Sequence, residues 1–223
     1  MQRDQELTEK IKVYCKKIGV DVVGFADPAL FERYSEENRP QAFIEDSKTV
    51  IVIGFYLYDI VLDAWSHNEG EKIWKRQFAD AVVEQFCNRI RRFLLKNGFN
   101  SRVIPYSPGL FLKDAAALAG IGPIGKNNLL ITDEFGPQVR LRALVTNAAL
   151  TCGQPITKSE YCNECNICID SCPPKALSAG KYVQAKCREY LVNNRRKLSE
   201  HVFIDCNLCI ESCPVGKSIE NKS

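Results

Sequence analysis

No apolar run in the chain approaches the roughly 18–20 residues that cross a bilayer, so a membrane partner is not expected. Net charge is low. The formal balance is +3 over 223 residues, and nothing in it calls for nucleic acid or an anionic surface as partner. Histidine is scarce: His67 and His201 each stand alone and read as surface or loop residues, not metal ligands. There are no low-complexity segments, and no repeat occurs outside the cysteine region. The N-terminal stretch MQRDQELTEKIKVYCKK is charged and amphipathic, unlike a signal peptide. A cytoplasmic protein is the expectation.

Cysteine, by contrast, is abundant. Eleven cysteines in a chain of cytoplasmic character need an explanation other than disulfides. Eight of them fall between Cys162 and Cys213, and only Cys15, Cys87 and Cys152 lie outside. This shift in composition predicts a boundary near residue 155. Residues 1–155 form one expected domain, residues 156–217 a second, and residues 218–223 a loose tail.

Before the cysteines, helices and strands alternate. Leu7, Ile11, Tyr14 and Ile18 recur at helical spacing over residues 4–18, with Gly19 as a stop. Strands are predicted at 20–26 and 49–57; the second, TVIVIGFYL, is suited to a position covered on both faces. A long helix is predicted from Glu71 to Lys96, with Ile73, Phe78, Val82, Phe86, Ile90 and Phe93 on its buried stripe. Cys15 and Cys87 lie on helix patterns and read as inert buried thiols. A short strand SRVIP, a helix over 110–120, and strands NLLIT and VRLRALVT complete an α/β pattern. Trp65 and Trp74 flank a polar loop and read as packing residues.

The first cysteine motif is Cys162-x2-Cys165-x2-Cys168-x3-Cys172-Pro173. Cubane iron–sulfur clusters take four thiolates each, and in two-cluster ferredoxins the fourth cysteine of such a run serves the other cluster. The second motif, Cys206-x2-Cys209-x3-Cys213-Pro214, has Phe203 where a further cysteine belongs. Two clusters need eight thiolates, and Cys187 is the spare one between the motifs. The expected sets are therefore Cys162, Cys165, Cys168 and Cys213 for one [4Fe–4S] cluster, and Cys172, Cys187, Cys206 and Cys209 for the other. Zinc is the poorer reading, because zinc sites use two CxxC pairs with no shared fourth ligand and no Cys-Pro ending. Lys175 and Lys217, after the two endings, read as solvated. Arg195, Arg196 and Lys197 form a basic run whose default is a solvated face, with docking of an acidic electron donor as the functional alternative.

A ferredoxin alone leaves most of the first 150 residues unexplained. The unusual stretch there is PYSPGLFLKDAAALAGIGPIGKNNLL, residues 105–130. Gly120, Gly122 and Gly125 permit a tight turn and close approach of backbone to a ligand, and Lys126 and Asn127 follow. The glycines come after a helix, not after the first strand of a βαβ unit, so a dinucleotide site is not expected.

AGIGPIGKNNLLITDEFGPQVRLRALVT, followed by CxxCxxCxxxCP and the late CNLCIESCP, resembles the cobalamin-dependent iron–sulfur reductases, namely epoxyqueuosine reductases and respiratory reductive dehalogenases. The resemblance implies a nitroreductase-like, corrinoid-binding α/β domain followed by a two-cluster ferredoxin-like module. It implies cobalamin as cofactor, contacted by the turn from Gly120 through Gly122, Gly125 and Lys126 to Asn127. It also supports the place of Cys187 in the ligand set. Epoxyqueuosine reductases carry an aspartate proton donor where this chain has Tyr106. Reductive dehalogenases use a tyrosine, so the resemblance makes Tyr106 a candidate acid, with Lys113 as its helper. The tRNA-binding repeat domain of the first group and the signal of the second are not found in the chain.

The expectation is a reductase passing single electrons through two clusters to cobalamin, from an anaerobe or microaerophile. Its donor would be a ferredoxin or flavodoxin, and its substrate a small molecule or a corrinoid. The alternatives are a carrier that reduces another protein's corrinoid or a flavin, and a cobalamin-processing protein.

Overall fold

Asp4 starts the fold. In the computed structural model, which describes residues 2–66, 76–178 and 180–216, its carboxylate accepts the Leu7 N–H at 2.8 Å and caps helix α1 (Gln5–Ile18). Gly19 closes the helix at φ 92°, the left-handed conformation that favours glycine. Strands β1 (Val22–Ala26), β2 (Thr49–Tyr56), β3 (Trp65–Ser66) and β4 (Arg76–Gln77) follow. Then come helix α2 (Phe78–Lys96), strand β5 (Ser101–Val103), helix α3 (Leu112–Leu118) and strand β6 (Val139–Thr146). The cysteine-rich stretch carries α4 (Ile167–Asp170), β7 (Leu177–Ser178), β8 (Lys181–Tyr182), α5 (Gln184–Asn193), β9 (Arg196–Lys197), β10 (Val202–Ile204) and α6 (Leu208–Glu211). The fold is mixed α/β.

Two compact units divide the chain, each drawn from three stretches. Met1–Phe55, Val82–Pro123 and Arg140–Lys158 form the first; Tyr56–Ala81, Ile124–Val139 and Ser159–Ser223 form the second. Residues 56–81 and 124–139 precede the expected cut at residue 155, yet they belong to the second unit. They carry no cysteine, so composition does not mark them.

The first unit is built on a sheet of order β1-β2-β6-β5. β1 pairs antiparallel with β2, and β5 with β6. Lys48 N–H donates to Thr146 O at one end of β2, and Leu57 N–H to Gln138 O at the other, so β2 and β6 also run in opposite directions. β2 is interior to the sheet and buried from Thr49 to Gly54, as its unbroken apolar run predicts. Leu7, Ile11, Cys15 and Ile18 of α1 pack with Cys87, Ile90 and Leu94 of α2 over Ile51, Ile53 and Leu144. The buried stripe of α2 is Ala79, Val83, Cys87, Ile90 and Leu94, rotated by about one residue from the aromatic stripe expected. Phe78 is half exposed, and Phe86 and Phe93 flank the core. Burial pushes the Cys15 thiol up to about 12 and raises the Cys87 thiol as well.

Gly24 shows why β1 carries a glycine. A Cβ there would stand 2.6 Å from Ile121 Cγ1 and 2.9 Å from Ala119 O. Gly24→Ala is expected to destabilise the chain by about 1–3 kcal/mol through overpacking, read as a lower urea midpoint; an unchanged midpoint would contradict the close approach.

In the second unit a small sheet of order β4-β3-β10-β9 pairs Trp65 with Gln77 and with Phe203. The helix expected from Glu71 begins at Phe78 because Arg76 and Gln77 are strand residues in this sheet. His67, Trp74, Lys217 and the 218–223 tail lie outside the described residues. NLLIT is not a strand. Ile124 bridges Leu130, Asn128 has φ 59°, and Thr132 bridges Gly136, so this segment is a compact run of turns. Phe203 occupies the place of the missing cysteine: it is buried in β10 with the Arg195 guanidinium 4.4 Å from its ring centroid.

Candidate functional site

The two cysteine motifs repeat as Asn166-Ile-Cys168-Ile-Asp-Ser171-Cys172-Pro173 and Asn207-Leu-Cys209-Ile-Glu-Ser212-Cys213-Pro214. Each forms one helical turn, α4 and α6, begun by its asparagine: Ile169 N–H donates to Asn166 O at 2.9 Å, and Ile210 N–H to Asn207 O at 2.8 Å. The two turns pack together, and the Ser171 and Ser212 hydroxyls meet at 2.9 Å. This pairing carries the last cysteine of each motif away from its own loop.

Cys162, Cys165, Cys168 and Cys213 line one cavity, with Lys126 and Tyr161 beside them. Three of these cysteines come from the first motif and the fourth from the end of the second. Cys187 and Cys209 pack against Cys168 and Cys172. The Cys206 thiol is raised by burial first, then by the negative charge of Cys187 and Cys172. Cys209 is pushed up to about 12 by burial, then by Cys206, Cys187, Cys168 and Cys172. Thiolates gathered this way are disfavoured until cations compensate them. Among the described residues no three His, Cys, Asp or Glu side chains are placed to hold a single metal ion. A zinc draws its ligands to within about 2.0–2.3 Å of one point, whereas the first four cysteines surround a cavity. Cys152 belongs to the first unit, its Sγ 3.5 Å from Leu150 O.

The glycine turn packs closely against its own neighbouring chain. Gly120, at φ 75°, lies so close to the following chain that a Cβ would be 2.8 Å from Gln154 O. A Cβ on Gly125 would be 2.8 Å from Ile131 Cγ1. Gly122 is buried. Lys126 spends its ammonium on the first cysteine loop, donating to Asn163 O at 3.2 Å, Cys165 O at 3.0 Å and Asn166 Oδ1 at 3.0 Å. Asn127, buried, accepts from Leu129 N–H at 3.1 Å and donates to Cys209 O at 3.4 Å. Two neighbouring residues thus tie down one cysteine loop each.

Tyr106 is half exposed in the first unit, in a turn that Asn38 fastens by donating to Gly109 O at 2.6 Å. The Arg142 guanidinium lies 3.9 Å from its ring centroid. Arg142 is only 7% exposed, and its Nε and Nη1 have no hydrogen-bond partner among the described residues. This arginine was missed in the sequence. The signal was there: VRLRALVT puts Arg140 and Arg142 on the face of Leu144 in an otherwise apolar strand. Lys113 is half-buried on α3 beside Asp114, which accepts from the Tyr34 hydroxyl at 3.0 Å. Lys175 is exposed and donates to Asp170 O at 3.0 Å. His201 is on the surface, 3.9 Å from Glu200. In the basic run, Arg195 pairs with Asp205 at 3.2 Å, while Arg196 and Lys197 are exposed.

Known proteins resemble this chain over much of its length. The epoxyqueuosine reductase of Bacillus anthracis is 26% identical over 227 residues, covering 88% of this chain and 59% of that protein. The tetrachloroethene reductive dehalogenase of Dehalobacter restrictus is 34% identical over 101 residues, covering 44% of this chain and 18% of that protein. The chain belongs to the epoxyqueuosine reductase and reductive dehalogenase-like family. No model of a known protein family matches it. A solved epoxyqueuosine reductase in complex with an epoxyqueuosine-modified tRNA stem loop superposes with a TM-score of 0.71 at 21% identity, over 95% of this chain and 66% of that one. The chain thus spans about three fifths of the first relative's length. A net charge averages over local patches, so the balance of +3 by itself does not decide against nucleic acid. No helix among the described residues is long and apolar enough to cross a membrane.

Proposed function

We propose that the chain is an iron–sulfur reductase with two [4Fe–4S] clusters, one held by Cys162, Cys165, Cys168 and Cys213, the other by Cys172, Cys187, Cys206 and Cys209. The observation that carries this reading is the four-cysteine ring around one cavity, closed by Cys213 from the far motif. When bound, the clusters supply electrons one at a time. The residues do the rest. The Ser171–Ser212 contact holds the two loops together, and Lys126 and Asn127 fix their backbones, so the thiolates are presented in constant geometry.

Cobalamin enters by family likeness. Gly120 and Gly125 are closed by protein atoms, and Lys126 and Asn127 have spent their polar groups on the cysteine loops. A corrin would therefore be held by other residues of the chain. A nitroreductase-like first domain, a ferredoxin-like second one, a cytoplasmic location and a ferredoxin or flavodoxin donor belong to the same reading. Tyr106 is proposed as the proton donor. Arg142 holds the phenol ring by its face and places a fixed positive charge where negative charge grows as the proton leaves. The first substrate to try is an epoxyqueuosine-modified tRNA stem loop, the ligand of the tRNA-bound family member.

Anaerobic purification with and without added cobalamin tests this. The expected product holds about eight iron atoms per chain, as two cubanes require, and retains corrin in its spectrum. Two clusters without corrin would favour a carrier that reduces another protein; zinc in place of iron would sink the proposal.

A further inference from the structure

The two cysteine loops repeat in sequence but not in their surroundings. Asn166 and Asn207 are equivalent positions, each opening its one-turn helix. The Asn166 side chain accepts from the Lys126 ammonium at 3.0 Å. The Asn207 side chain instead donates to the Asp63 carboxylate at 2.8 Å. A cation therefore stands behind the first loop and an anion behind the second.

Both charges are held in place. Lys126 is fixed by the Asn163 and Cys165 carbonyls and lines the cavity of the first four cysteines. Asp63 is 9% exposed, and Gln77 donates to its Oδ1 at 2.8 Å. Among the described residues, the other charges near the two loops are exposed or paired. Lys186 and Arg188 flank Cys187 but are exposed, as are Glu164 and Asp170 around the first loop, and solvent screens exposed charges. Arg195 is cancelled by Asp205, and Asp133 is bonded to the Tyr161 hydroxyl. Glu211, on α6, is exposed as well and is screened in the same way.

Building on the iron–sulfur reading, we propose that Lys126 and Asp63 split the reduction potentials of two clusters that have the same ligands. Reduction adds one negative charge to a cluster. A fixed cation favours that charge and a fixed anion opposes it, and local charge and hydrogen bonding are principal levers on cluster potential. The cluster held by Cys162, Cys165, Cys168 and Cys213 is the easier to reduce. The one held by Cys172, Cys187, Cys206 and Cys209 is the harder. An electron reaching the second loop therefore runs downhill to the first, and Lys126 and Asp63 are positioning residues for that transfer.

The test is an anaerobic redox titration followed by electron paramagnetic resonance, on protein whose iron and sulfide have been measured. Wild-type protein is expected to show two resolved midpoints, with Cys165→Ala abolishing or altering the higher one. Lys126→Gln is expected to make the higher-potential reduction roughly tenfold less favourable, ~59 mV for a one-electron couple, and to leave the lower midpoint in place. Lys126→Arg keeps the charge and restores it. Asp63→Asn is expected to raise the lower midpoint alone. Coincident wild-type midpoints, a reversed order, or substitutions that move both clusters equally or neither would overturn the inference. If Lys126→Gln fails to retain its cluster, Asp63→Asn decides the matter by itself. Fewer than two clusters in the wild type would refute the iron–sulfur reading, whereas two clusters indifferent to both substitutions would refute the charge split alone.

Discussion

Cys213→Ala protein, prepared anaerobically, is expected to lose the same cluster as Cys165→Ala protein and to keep the one that Cys206→Ala removes. Each substitution is expected to lower the iron content by about half, four of eight atoms. The argument is the crossing of the two motifs. Cys213 follows Cys209 in sequence, but it lines the cavity of Cys162, Cys165 and Cys168, because the α4–α6 contact brings the end of the second motif against the first loop. Cys187→Ala is expected to behave like Cys206→Ala, and Cys152→Ala to leave both clusters intact. Iron and sulfide analysis with resonance spectra of the five variants is the measurement. If Cys213→Ala and Cys206→Ala depleted one and the same cluster, the crossing would be wrong.

The second large effect belongs to Tyr106. With cluster content unchanged, Tyr106→Phe is expected to slow turnover of an epoxyqueuosine-modified tRNA stem loop by about 10²–10⁴-fold, the span of general acid catalysis. Arg142→Met is expected to slow the same reaction, because it removes both the support of the ring and the charge beside it. A structural role for Arg142 alone would give additive losses. The two residues acting as one device give a double variant no slower than Tyr106→Phe. Unchanged turnover in Tyr106→Phe would remove the tyrosine from the chemistry and favour a carrier.

Much of the fold was legible because it rests on local pattern. Helix α1 has its apolar spacing, its Asp4 cap and its Gly19 stop within one short stretch. Strands β2 and β6 are β-branched or apolar runs that no other element suits. The errors fall where a distant partner decides. Arg76 and Gln77 fit a helix by periodicity but are taken by Trp65 and Ser66. NLLIT reads as a strand, but the Asn127 side chain accepts from Leu129 N–H and Asn128 turns left-handed. The stripe of α2 differs from expectation because Cys87, Ile90 and Leu94 take the centre of the core and Phe86 and Phe93 its edge.

The candidate site divides in the same way. The expected cofactor and its ligand sets rest on thiol chemistry and spacing, with eight cysteines clustered in one stretch. The roles of Lys126, Asn127, Asp63 and Arg142 were not legible. Lys126 and Asn127 are expected as ligand contacts, and the structure shows them donating to Cys165 O and Cys209 O. Asp63 carries no motif at all, and its bond to Asn207 sets the second loop apart from the first, which faces Lys126. Residue order alone carries two repeated cysteine loops that follow an α/β pattern along the chain. The tertiary structure alone decided which charge stands behind each loop. A hydrogen bond between residues 40 or 144 positions apart leaves no periodic trace in the chain; it exists only once the intervening segments have folded.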